Sequence, residues 1–328
     1  MYSRIIGTGS YLPERVLTNF DLEQRLDTSD TWIRERTGIE RRHIADDAQG
    51  TVDLAEGAAR AAIAAAGLQP ADIDFICFGT TTPEMVFPNC GALLQQRLGC
   101  RGGAAFSLEA ACSSFLYALS VADKFVKTGA ARRALVVGAE VLTRLVDWSE
   151  RSTAVLFGDG AGAVVLAPDE TAGILSTHLH ADGHYKDLLY CRGAVGSGTV
   201  AAAGPPGVIA KDDVFLHMAG GEVFKLAVTH LGKSVEEALR HNGLAKSDVD
   251  WLVPHQANIR IIEAMARKLD MPMDRVIVTV QDHGNTSAAS VPLALDAGVR
   301  DGRIKRGDLL LLEAFGGGLT WGSALVRF

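Results

Sequence analysis

Cys112, His255 and Asn285 are of the residue types that carry out acyl-transfer chemistry, and each lies at the boundary of a predicted element. Cys112 begins a stretch, Cys-Ser-Ser-Phe-Leu-Tyr-Ala-Leu, in which apolar residues recur at helical spacing, so we expect it at the start of a buried helix. A helix N-terminus stabilises a thiolate and lowers the pKa of the thiol. The position therefore predicts a nucleophile, although most cysteines are small buried core residues.

His255 and Asn285 are the predicted partners of this cysteine. His255 follows an apolar strand and Pro254, at the carboxyl end of the strand, where ligands bind in open α/β sheets. Asn285 lies in His-Gly-Asn-Thr-Ser-Ala-Ala-Ser, and these small residues allow a ligand to approach closely. Each also has a structural alternative, since His255 could be a core histidine and Asn285 a helix cap.

An internal repeat gives a geometric reason to treat Cys112 and Asn285 as one site. The segment 67–76, GLQPADIDFI, matches 243–252, GLAKSDVDWL, at a constant offset of 176 residues. Cys112 lies 38 residues after the last Asp of the first copy, and Asn285 lies 35 residues after that of the second. A pseudo-twofold arrangement of the two copies would therefore bring the two side chains together.

A repeat of this length indicates duplicated domains. We place the boundary at 172/173, so that residues 1–172 form an N-terminal half with the cysteine and residues 173–328 a C-terminal half with the histidine and asparagine. Apolar runs alternate with helical patterns, which predicts an α/β fold with largely parallel sheets. The Gly- and Pro-rich segment 182–213 is predicted to be a long loop. We expect strands at 73–79, 134–139, 161–167, 251–253, 275–280, 308–313 and 322–327, and helices at 52–66, 112–128, 215–241, 257–269 and 287–300.

The composition excludes several classes of protein. A formal charge of −7 argues against general nucleic-acid binding. Five cysteines without a CxxC pair disfavour a disulfide framework and a thiolate zinc site, and we expect no metal, no cofactor and a cytoplasmic location. No apolar run approaches the roughly 20 residues of a membrane span. The basic cluster within 33–43 could meet a phosphate-bearing ligand or be a solvated helix end.

Two glycine-rich segments have different interpretations. Phe157-Gly158-Asp159-Gly160 precedes a strand and lacks the register of a nucleotide-binding loop, so we interpret its glycines as turn residues. In Phe315-Gly316-Gly317-Gly318, a backbone amide exposed by the missing side chains could donate a hydrogen bond to an oxyanion.

With these motifs in this order, the sequence resembles the β-ketoacyl-acyl carrier protein synthase III family over nearly its whole length. The resemblance is carried by Asp-Thr-Ser-Asp at 27–30, Arg-Thr-Gly-Ile at 36–39, Glu-Ala-Ala-Cys at 109–112, Pro-His-Gln-Ala-Asn at 254–258 and Gly-Asn-Thr-Ser-Ala-Ala-Ser at 284–290. It implies a thiolase fold, in which duplicated α/β halves form five layers (αβαβα), and a homodimer. It also implies an acyltransferase of fatty acid biosynthesis.

The resemblance assigns roles to the three residues above. Cys112 would take an acyl group from acyl-coenzyme A, a substrate and not a cofactor. His255 and Asn285 would stabilise the enolate that forms when malonyl-acyl carrier protein loses carbon dioxide, and this carbanion would attack the acyl-cysteine. The amides of Cys112 and Gly317 would be the oxyanion donors.

The resemblance also implies binding residues. The positions matching coenzyme A contacts are Thr28, Trp32, Arg36, Arg151 and Asn258. The acyl pocket would be walled by Leu142, Leu156, Phe157, Leu189 and Phe315, and closed by Phe87 from the partner subunit. On the predicted helix 257–269, we expect Arg260, Lys268 and, more weakly, Arg267 to dock an acidic carrier protein. Two departures from the family pattern, Ser114 in place of a usual glycine and the length of 182–213, put the acyl preference in question.

Other functions fit the sequence less well. A papain-like hydrolase also orders Cys, His and Asn, but the duplication has no place there. A thiolase would carry a second catalytic cysteine near its C-terminus, and no cysteine follows Cys191. A 3-hydroxy-3-methylglutaryl synthase is a further relative of the same fold. A non-catalytic acyl-binding protein would tolerate loss of the three chemical residues, all of which are present. The main alternative is a starter-unit condensing enzyme of secondary metabolism.

Overall fold

Two mixed β-sheets with helices on both faces form the framework of this computed structural model, which describes residues 1–192 and 214–328. The strands are β1 (Tyr2–Tyr11), β2 (Val16–Thr18), β3 (Arg41–His43), β4 (Phe75–Gly79), β5 (Ala104–Leu108), β6 (Ala134–Glu140), β7 (Gly160–Asp169), β8 (Ile174–Ala181), β9 (Leu189–Tyr190), β10 (His217–Met218), β11 (Trp251–Pro254), β12 (Leu309–Gly316) and β13 (Thr320–Arg327). The helices are α1 (Asn19–Glu23), α2 (Asp30–Thr37), α3 (Thr51–Ala65), α4 (Cys90–Leu98), α5 (Ser114–Lys127), α6 (Arg151–Ala154), α7 (Gly220–Asn242), α8 (Ile259–Lys268), α9 (Val280–His283) and α10 (Ser290–Arg300). Short 3₁₀ turns include Ala111–Ser113 and Ser287–Ala289.

The strand directions correct the expectation of largely parallel sheets. The first sheet has the order β1-β7-β6-β4-β5, in which β4 is parallel to β5 and β6, whereas β7 is antiparallel to β6 and β1. The second has the order β11-β12-β13-β8, and only its β11–β12 pair is parallel. For the β12–β13 pair the reason is local, because a tight glycine-rich turn joins the two strands in a hairpin, and hairpin strands are antiparallel.

Side-chain alternation along the strands produces the five layers. On β12, Leu309 and Leu311 belong to the core under α7 and α8, while Leu310 and Leu312 belong to the core that contains α5 and α10. On β7, Ala163 and Val165 face the core under α3 and α4. The order is therefore α3/α4, first sheet, α5/α10, second sheet, α7/α8, which confirms the predicted α/β class and αβαβα arrangement.

Most predicted elements are present, with shifts at their ends. Six of the seven predicted strands correspond to β4, β6, β7, β11, β12 and β13, and the five predicted helices correspond to α3, α5, α7, α8 and α10. The helix predicted from 215 begins only at Gly220, because His217 and Met218 pair with β9. Sequence reasoning missed the helices α1, α2, α4, α6 and α9 and the strands β2, β3, β5, β8, β9 and β10.

The predicted strand 275–280 is wrong. Only Val276 pairs there, in an isolated bridge with Leu252. The backbone that follows is bonded by one buried side chain: Gln256 donates to the carbonyl of Ile277 at 3.0 Å and accepts from the amides of Thr279 and Val280 at 2.8 and 3.1 Å. A ladder cannot continue where a side chain takes its hydrogen bonds.

The predicted loop 182–213 is partly structured. Leu189 and Tyr190 form β9, which pairs with β10 on the far side of the segment. The rest of that prediction, residues 193–213, lies outside the described residues. Among the residues that are described, no helix is both long and apolar enough to cross a membrane.

Candidate active site

Cys112 lies in the 3₁₀ turn 111–113, which leads from the end of β5 into the first turn of α5. Ala111 adopts a positive φ of 47°, and its amide donates to the Glu109 carboxylate at 2.7 Å. Ser114, the departure from the family pattern, fits here without strain. Its hydroxyl accepts from the Ala110 amide at 2.8 Å and donates to the Ala111 carbonyl at 2.7 Å, so it ties the turn together.

The predicted low pKa of the Cys112 thiol is wrong for the resting protein. Burial raises its pKa to about 12, with the nearby Glu140 and Glu109 carboxylates acting in the same direction. A hydrogen bond with the Ser287 side chain opposes this shift and does not overcome it. Desolvation of the thiolate thus outweighs its place near the helix start, and the sulfur is a neutral thiol until a base takes its proton.

His255 is buried directly after β11. Its amide donates to the Glu313 carbonyl at 2.8 Å, and its Nδ1 lies 2.5 Å from the Ser290 hydroxyl. Burial lowers the pKa of His255 to about 4, so the imidazole is neutral at pH 7. When Ser290 donates to Nδ1, the ring proton lies on Nε2; when Ser290 accepts from Nδ1, Nε2 is unprotonated and can take a proton.

Asn285 is held by backbone pairing with the segment before β7. Its amide donates to the Leu156 carbonyl at 2.8 Å, and its carbonyl accepts from the Gly158 amide at 3.0 Å. The side-chain Oδ1 accepts from the Ser287 amide at 2.9 Å, which leaves the Nδ2 donors for a ligand. The cap residue of α10 is Ala289, so Asn285 does not have the helix-cap role that was its structural alternative.

These three side chains line one cavity with a volume of about 1310 Å³. The cavity lies where the N-terminal turn of α5 meets the segments that follow β11 and α9. Gly316 backs directly onto the nucleophile, because a Cβ placed there would lie 2.5 Å from the Cys112 amide nitrogen. Gly317, the predicted oxyanion donor, also lines the cavity.

Two buried carboxyl groups near the cavity were not foreseen. Glu140 accepts hydrogen bonds from the hydroxyls of Thr80, Thr81 and Thr82, yet burial still raises its pKa to about 7. Glu313 lines the cavity, its carboxyl oxygens have no hydrogen-bond partner among residues 1–192 and 214–328, and burial raises its pKa to about 8. Both glutamates follow an apolar run in the sequence, Ala-Leu-Val-Val-Gly-Ala-Glu and Leu-Leu-Leu-Leu-Glu. A carboxyl group at the end of a buried strand is the pattern from which they could have been predicted.

The residues predicted to bind coenzyme A cluster around Trp32. The guanidinium carbons of Arg36 and Arg151 lie 4.6 and 4.8 Å from the centre of the Trp32 ring. Asn258 donates from Nδ2 to the Arg36 carbonyl at 2.9 Å and caps α8 with its Oδ1. Trp32, Arg36 and Asn258 line the cavity, whereas Arg151 and Thr28 do not, and the buried Thr28 hydroxyl is unpartnered within the described part of the chain.

The predicted acyl-pocket residues fall into two groups. Five of them line the cavity, namely Leu142, Leu156, Phe157, Leu189 and Phe315. Phe87 does not, and its side chain is 84% exposed beside Met85 and Val86, which do line the cavity.

The predicted docking residues on α8 have different surroundings. Arg260 lines the cavity and lies over the Phe224 ring at 5.8 Å. Arg267 is 71% exposed and pairs with Glu263 at 3.8 Å. Lys268 lies along α7, where its alkyl chain covers Gly232. Of these three docking residues, only Arg260 therefore borders the cavity.

No group of three or more His, Cys, Asp or Glu residues suited to a metal ion occurs in the described ranges.

Comparison with known proteins identifies the family of this chain. Two family models match, 3-oxoacyl-[acyl-carrier-protein] synthase III over residues 106–183 and its C-terminal domain over 239–328. The chain is 62% identical to the β-ketoacyl-[acyl-carrier-protein] synthase III of Alkalilimnicola ehrlichii and 60% identical to that of Xanthomonas campestris pv. campestris, in each case covering 100% of this chain and 99% of the relative.

Solved structures are similar over the whole fold. A 3-oxoacyl-[acyl-carrier-protein] synthase III from Aquifex aeolicus superposes with a TM-score of 0.92 at 45% identity, covering 99% of this chain and 100% of that one. The priming β-ketosynthase of the R1128 polyketide pathway gives 0.91 at 36% identity, covering 99% and 96%. Full-length identity near 60% to the curated relatives means that this chain belongs to the β-ketoacyl-acyl carrier protein synthase III family of acyltransferases.

Proposed function

We propose that this chain initiates fatty acid synthesis by joining an acyl group, taken from acyl-coenzyme A onto Cys112, to malonyl-acyl carrier protein. The products are a 3-oxoacyl-acyl carrier protein, coenzyme A and carbon dioxide. The observation that carries the proposal is that Cys112, His255 and Asn285, from distant parts of the chain, line one cavity. A nucleophile beside a neutral base and a fixed amide donor suits a covalent two-step acyl transfer.

In the first step, the Cys112 sulfur attacks the thioester carbonyl of acyl-coenzyme A. Because the resting thiol has its pKa raised and His255 is neutral, the tautomer whose Nδ1–H donates to the Ser290 oxygen takes the thiol proton on Nε2 as the carbon–sulfur bond forms. The amides of Cys112 and Gly317 donate to the oxyanion. As the tetrahedral intermediate collapses, the bond to coenzyme A breaks and the proton passes to its departing thiolate.

In the second step, malonyl-acyl carrier protein loses carbon dioxide, and the electron pair of the broken bond forms an enolate. His255 Nε2 and Asn285 Nδ2 donate to the enolate oxygen, where negative charge develops. The carbanion attacks the acyl-Cys112 carbonyl, a carbon–carbon bond forms, and the Cys112 thiolate leaves. One proton taken up from the medium restores the thiol, so the reaction needs no cofactor and no metal.

The substrates enter past the cluster around Trp32. The adenine of coenzyme A stacks between Trp32 and Arg151, and Thr28 and Arg36 contact the nucleotide and its phosphates. The stacking of both guanidinium groups on the indole ring supports this assignment, because the same faces that attract a cation also stack on a purine. Asn258, beside His255, contacts the pantetheine arm.

The carrier protein docks on α8 through Arg260 and Lys268, with Arg267 as a weaker member. The acyl chain lies among the five cavity residues Leu142, Leu156, Phe157, Leu189 and Phe315. Basic residues at the rim would attract an acidic carrier despite the overall charge of −7.

The working form is a homodimer. Within each chain, the halves 1–172 and 173–328 repeat one α/β unit. The edge position of β5 supports this assembly, because among the described residues β5 pairs only with β4 in its sheet, and an open edge can pair with a second copy. The neighbouring segment Met85–Phe87 is 51–84% exposed and apolar. On this proposal, Phe87 reaches the acyl pocket of the partner subunit.

The proposal is tested by incubating the protein with a panel of acyl-coenzyme A esters and weighing the intact chain. We expect one acyl adduct that is absent from Cys112→Ser, whose hydroxyl has no comparable ionisation. Added malonyl-acyl carrier protein must then discharge the adduct as a 3-oxoacyl product. A protein that forms no adduct with any ester contradicts the proposal. Preference for an unusual starter would instead favour the priming role seen in the polyketide relative.

A further inference from the structure

Arg42, at the centre of the short strand β3, is the largest fully buried side chain of the described residues. Its guanidinium donates to three oxygens: the Val155 carbonyl at 2.6 Å, the Asn19 Oδ1 at 2.9 Å and the Leu17 carbonyl at 3.3 Å. None of these is a carboxylate. The cation is thus buried without an anionic contact in this part of the chain.

Such a placement is costly for stability alone. Removing a charge from water has a large desolvation cost, and an apolar residue of similar volume commonly gives equal or better stability. What the guanidinium adds is geometry, because its planar donors fix several acceptors relative to one another. The segments that supply the hydrogen-bond acceptors of Arg42 are therefore the segments that its side chain holds in place.

On one side, Arg42 fixes the segment that carries Asn285. Val155 immediately precedes Leu156, whose carbonyl accepts from the Asn285 amide, and Phe157 bridges to Asn285. The stem of Arg42 lies beneath the same pairing, since Cβ atoms added at Gly158 and Gly284 would lie 3.0 and 3.1 Å from the Arg42 Cβ.

On the other side, Arg42 fixes the helix with the predicted coenzyme A contacts. Its acceptor Asn19 is fully buried and donates to the Asp30 carboxylate at 2.9 Å and to the Ile39 carbonyl at 2.7 Å. Asp30 and Ile39 lie at the two ends of α2, which carries Trp32 and Arg36. A single guanidinium therefore joins the two walls between which the substrates must fit.

We propose that Arg42 is a positioning residue that holds the Val155–Gly158 segment, and through it Asn285 and the Leu156 pocket wall, in register with helix α2. The proposal rests on the function proposed above for Asn285. It adds a residue that touches no substrate and acts through a neighbour. Its loss should therefore change the balance between the half-reactions and not merely the amount of folded protein.

The experiment compares Arg42→Met and Arg42→Lys with the matched control Arg306→Met. Arg306 also donates to two backbone carbonyls, those of Ile5 and Ile6 at 2.6 and 3.1 Å, but it does not line the cavity. Single-turnover acylation of Cys112 and release of labelled carbon dioxide are measured on folded protein, with the melting temperature recorded for each variant.

We expect Arg42→Met to lower decarboxylation about tenfold more than acylation, since a small displacement of a donor is costly in the transition state. Arg42→Lys, which keeps the charge but not the planar fork, should fall between it and wild type. Arg306→Met should lose stability and keep the wild-type ratio. Adding Arg42→Lys to Asn285→Ala should lower decarboxylation little further, because both changes act on one group.

Two results overturn the proposal. A wild-type ratio in folded Arg42→Lys and Arg42→Met assigns the side chain to stability alone, as does a failure of both variants to fold. The proposed function is judged separately on the wild-type protein. If wild type neither acylates Cys112 nor releases carbon dioxide, the proposed function has failed whatever the Arg42 variants do.

Discussion

At Cys112, two physical effects act on the sulfur in opposite directions. Burial disfavours the thiolate, whereas the Ser287 hydrogen bond and the neighbouring helix start favour it. Sequence reasoning could identify the residue and the helix start, because both follow from local pattern. It could not predict the pKa of the thiol, because burial of the sulfur and the proximity of Ser287 and Glu140 arise only in the fold.

The two half-reactions should separate in Asn285→Ala. This variant should still accept an acyl group on Cys112, because acylation needs the thiol and its base. It should lose malonyl decarboxylation by about 10²-fold or more, the usual effect of removing one oxyanion donor. Acylation by intact mass and release of labelled carbon dioxide measure the two steps. Normal decarboxylation with failed acylation would reverse the assigned roles.

His255→Ala should lose decarboxylation to a similar degree and also acylate more slowly, since its ring accepts the thiol proton. Because the two donors act on one oxygen, the double variant should be far less impaired than the product of the single effects. A fully multiplicative loss would mean that the two residues act independently.

The buried imidazole of His255 should make the fold sensitive to acid. Its pKa is lowered to about 4 in the folded chain and returns to about 6.5 when the chain unfolds, so the unfolded state binds a proton first as pH falls. The free energy of unfolding should therefore fall through the window from pH 6.5 to 4. The loss attributable to this group at pH 5 is about 2 kcal/mol.

Urea unfolding at pH 7 and pH 5 tests this expectation, with His255→Gln as the comparison. The neutral amide cannot titrate, so the variant should lose about 2 kcal/mol less than wild type between the two pH values. An equal loss in both proteins would show that His255 is solvated or charged in the folded state.

Helices and strands were predicted correctly where interactions between residues close in sequence determine them. Helices α3, α5 and α8 were predicted because apolar spacing sets their buried faces, and β4 and β11 because each apolar run is short and bounded by turn residues. The strand predicted at 275–280 failed because the side chain of Gln256 takes its backbone hydrogen bonds. A long-range contact of that kind leaves no periodic signal in the sequence.

Helix α8 is where recognition of the carrier protein is tested. Arg260→Glu should raise the KM for malonyl-acyl carrier protein at low salt, and the effect should shrink as salt screens the exposed charge. Arg303→Glu is the control, because Arg303 is an ion-paired arginine that does not line the cavity. Unchanged KM in Arg260→Glu at low salt would contradict the docking assignment.

For the molecule as a whole, the site exists only where the two halves meet. The nucleophile comes from the turn before α5, whereas the donors follow β11 and α9, and residues of both halves line the cavity. The repeat in the sequence predicted that Cys112 and Asn285 come together, on the expectation that a pseudo-twofold arrangement relates equivalent positions of the two copies, and both line the cavity. The repeat predicts no role for Trp32 or Phe87, and their binding roles were predicted only from the family resemblance.

The homodimer is tested through Phe87. Since its side chain is 84% exposed in one chain, Phe87→Ala should leave the melting temperature of a dissociated protomer unchanged and alter which acyl chain lengths are accepted. The acyl-coenzyme A panel with intact-mass readout measures this. Phe20→Ala is the control, because Phe20 is 63% exposed and does not line the cavity. Identical panels for wild type and Phe87→Ala would argue against a role in the partner's pocket.

The order of strands in the two sheets also governs how the chain can emerge from a ribosome. β1 leads the chain, yet its partner β7 is translated only after the rest of the first sheet. β8 ends at Ala181, and its pairing partner β13 begins only at Thr320, so that β13 is translated near the end of synthesis. During that delay, a nascent chain exposes an unpaired strand edge that can pair with other chains. The same strand order that builds the cavity thus leaves β1 and β8 without their partners for much of synthesis.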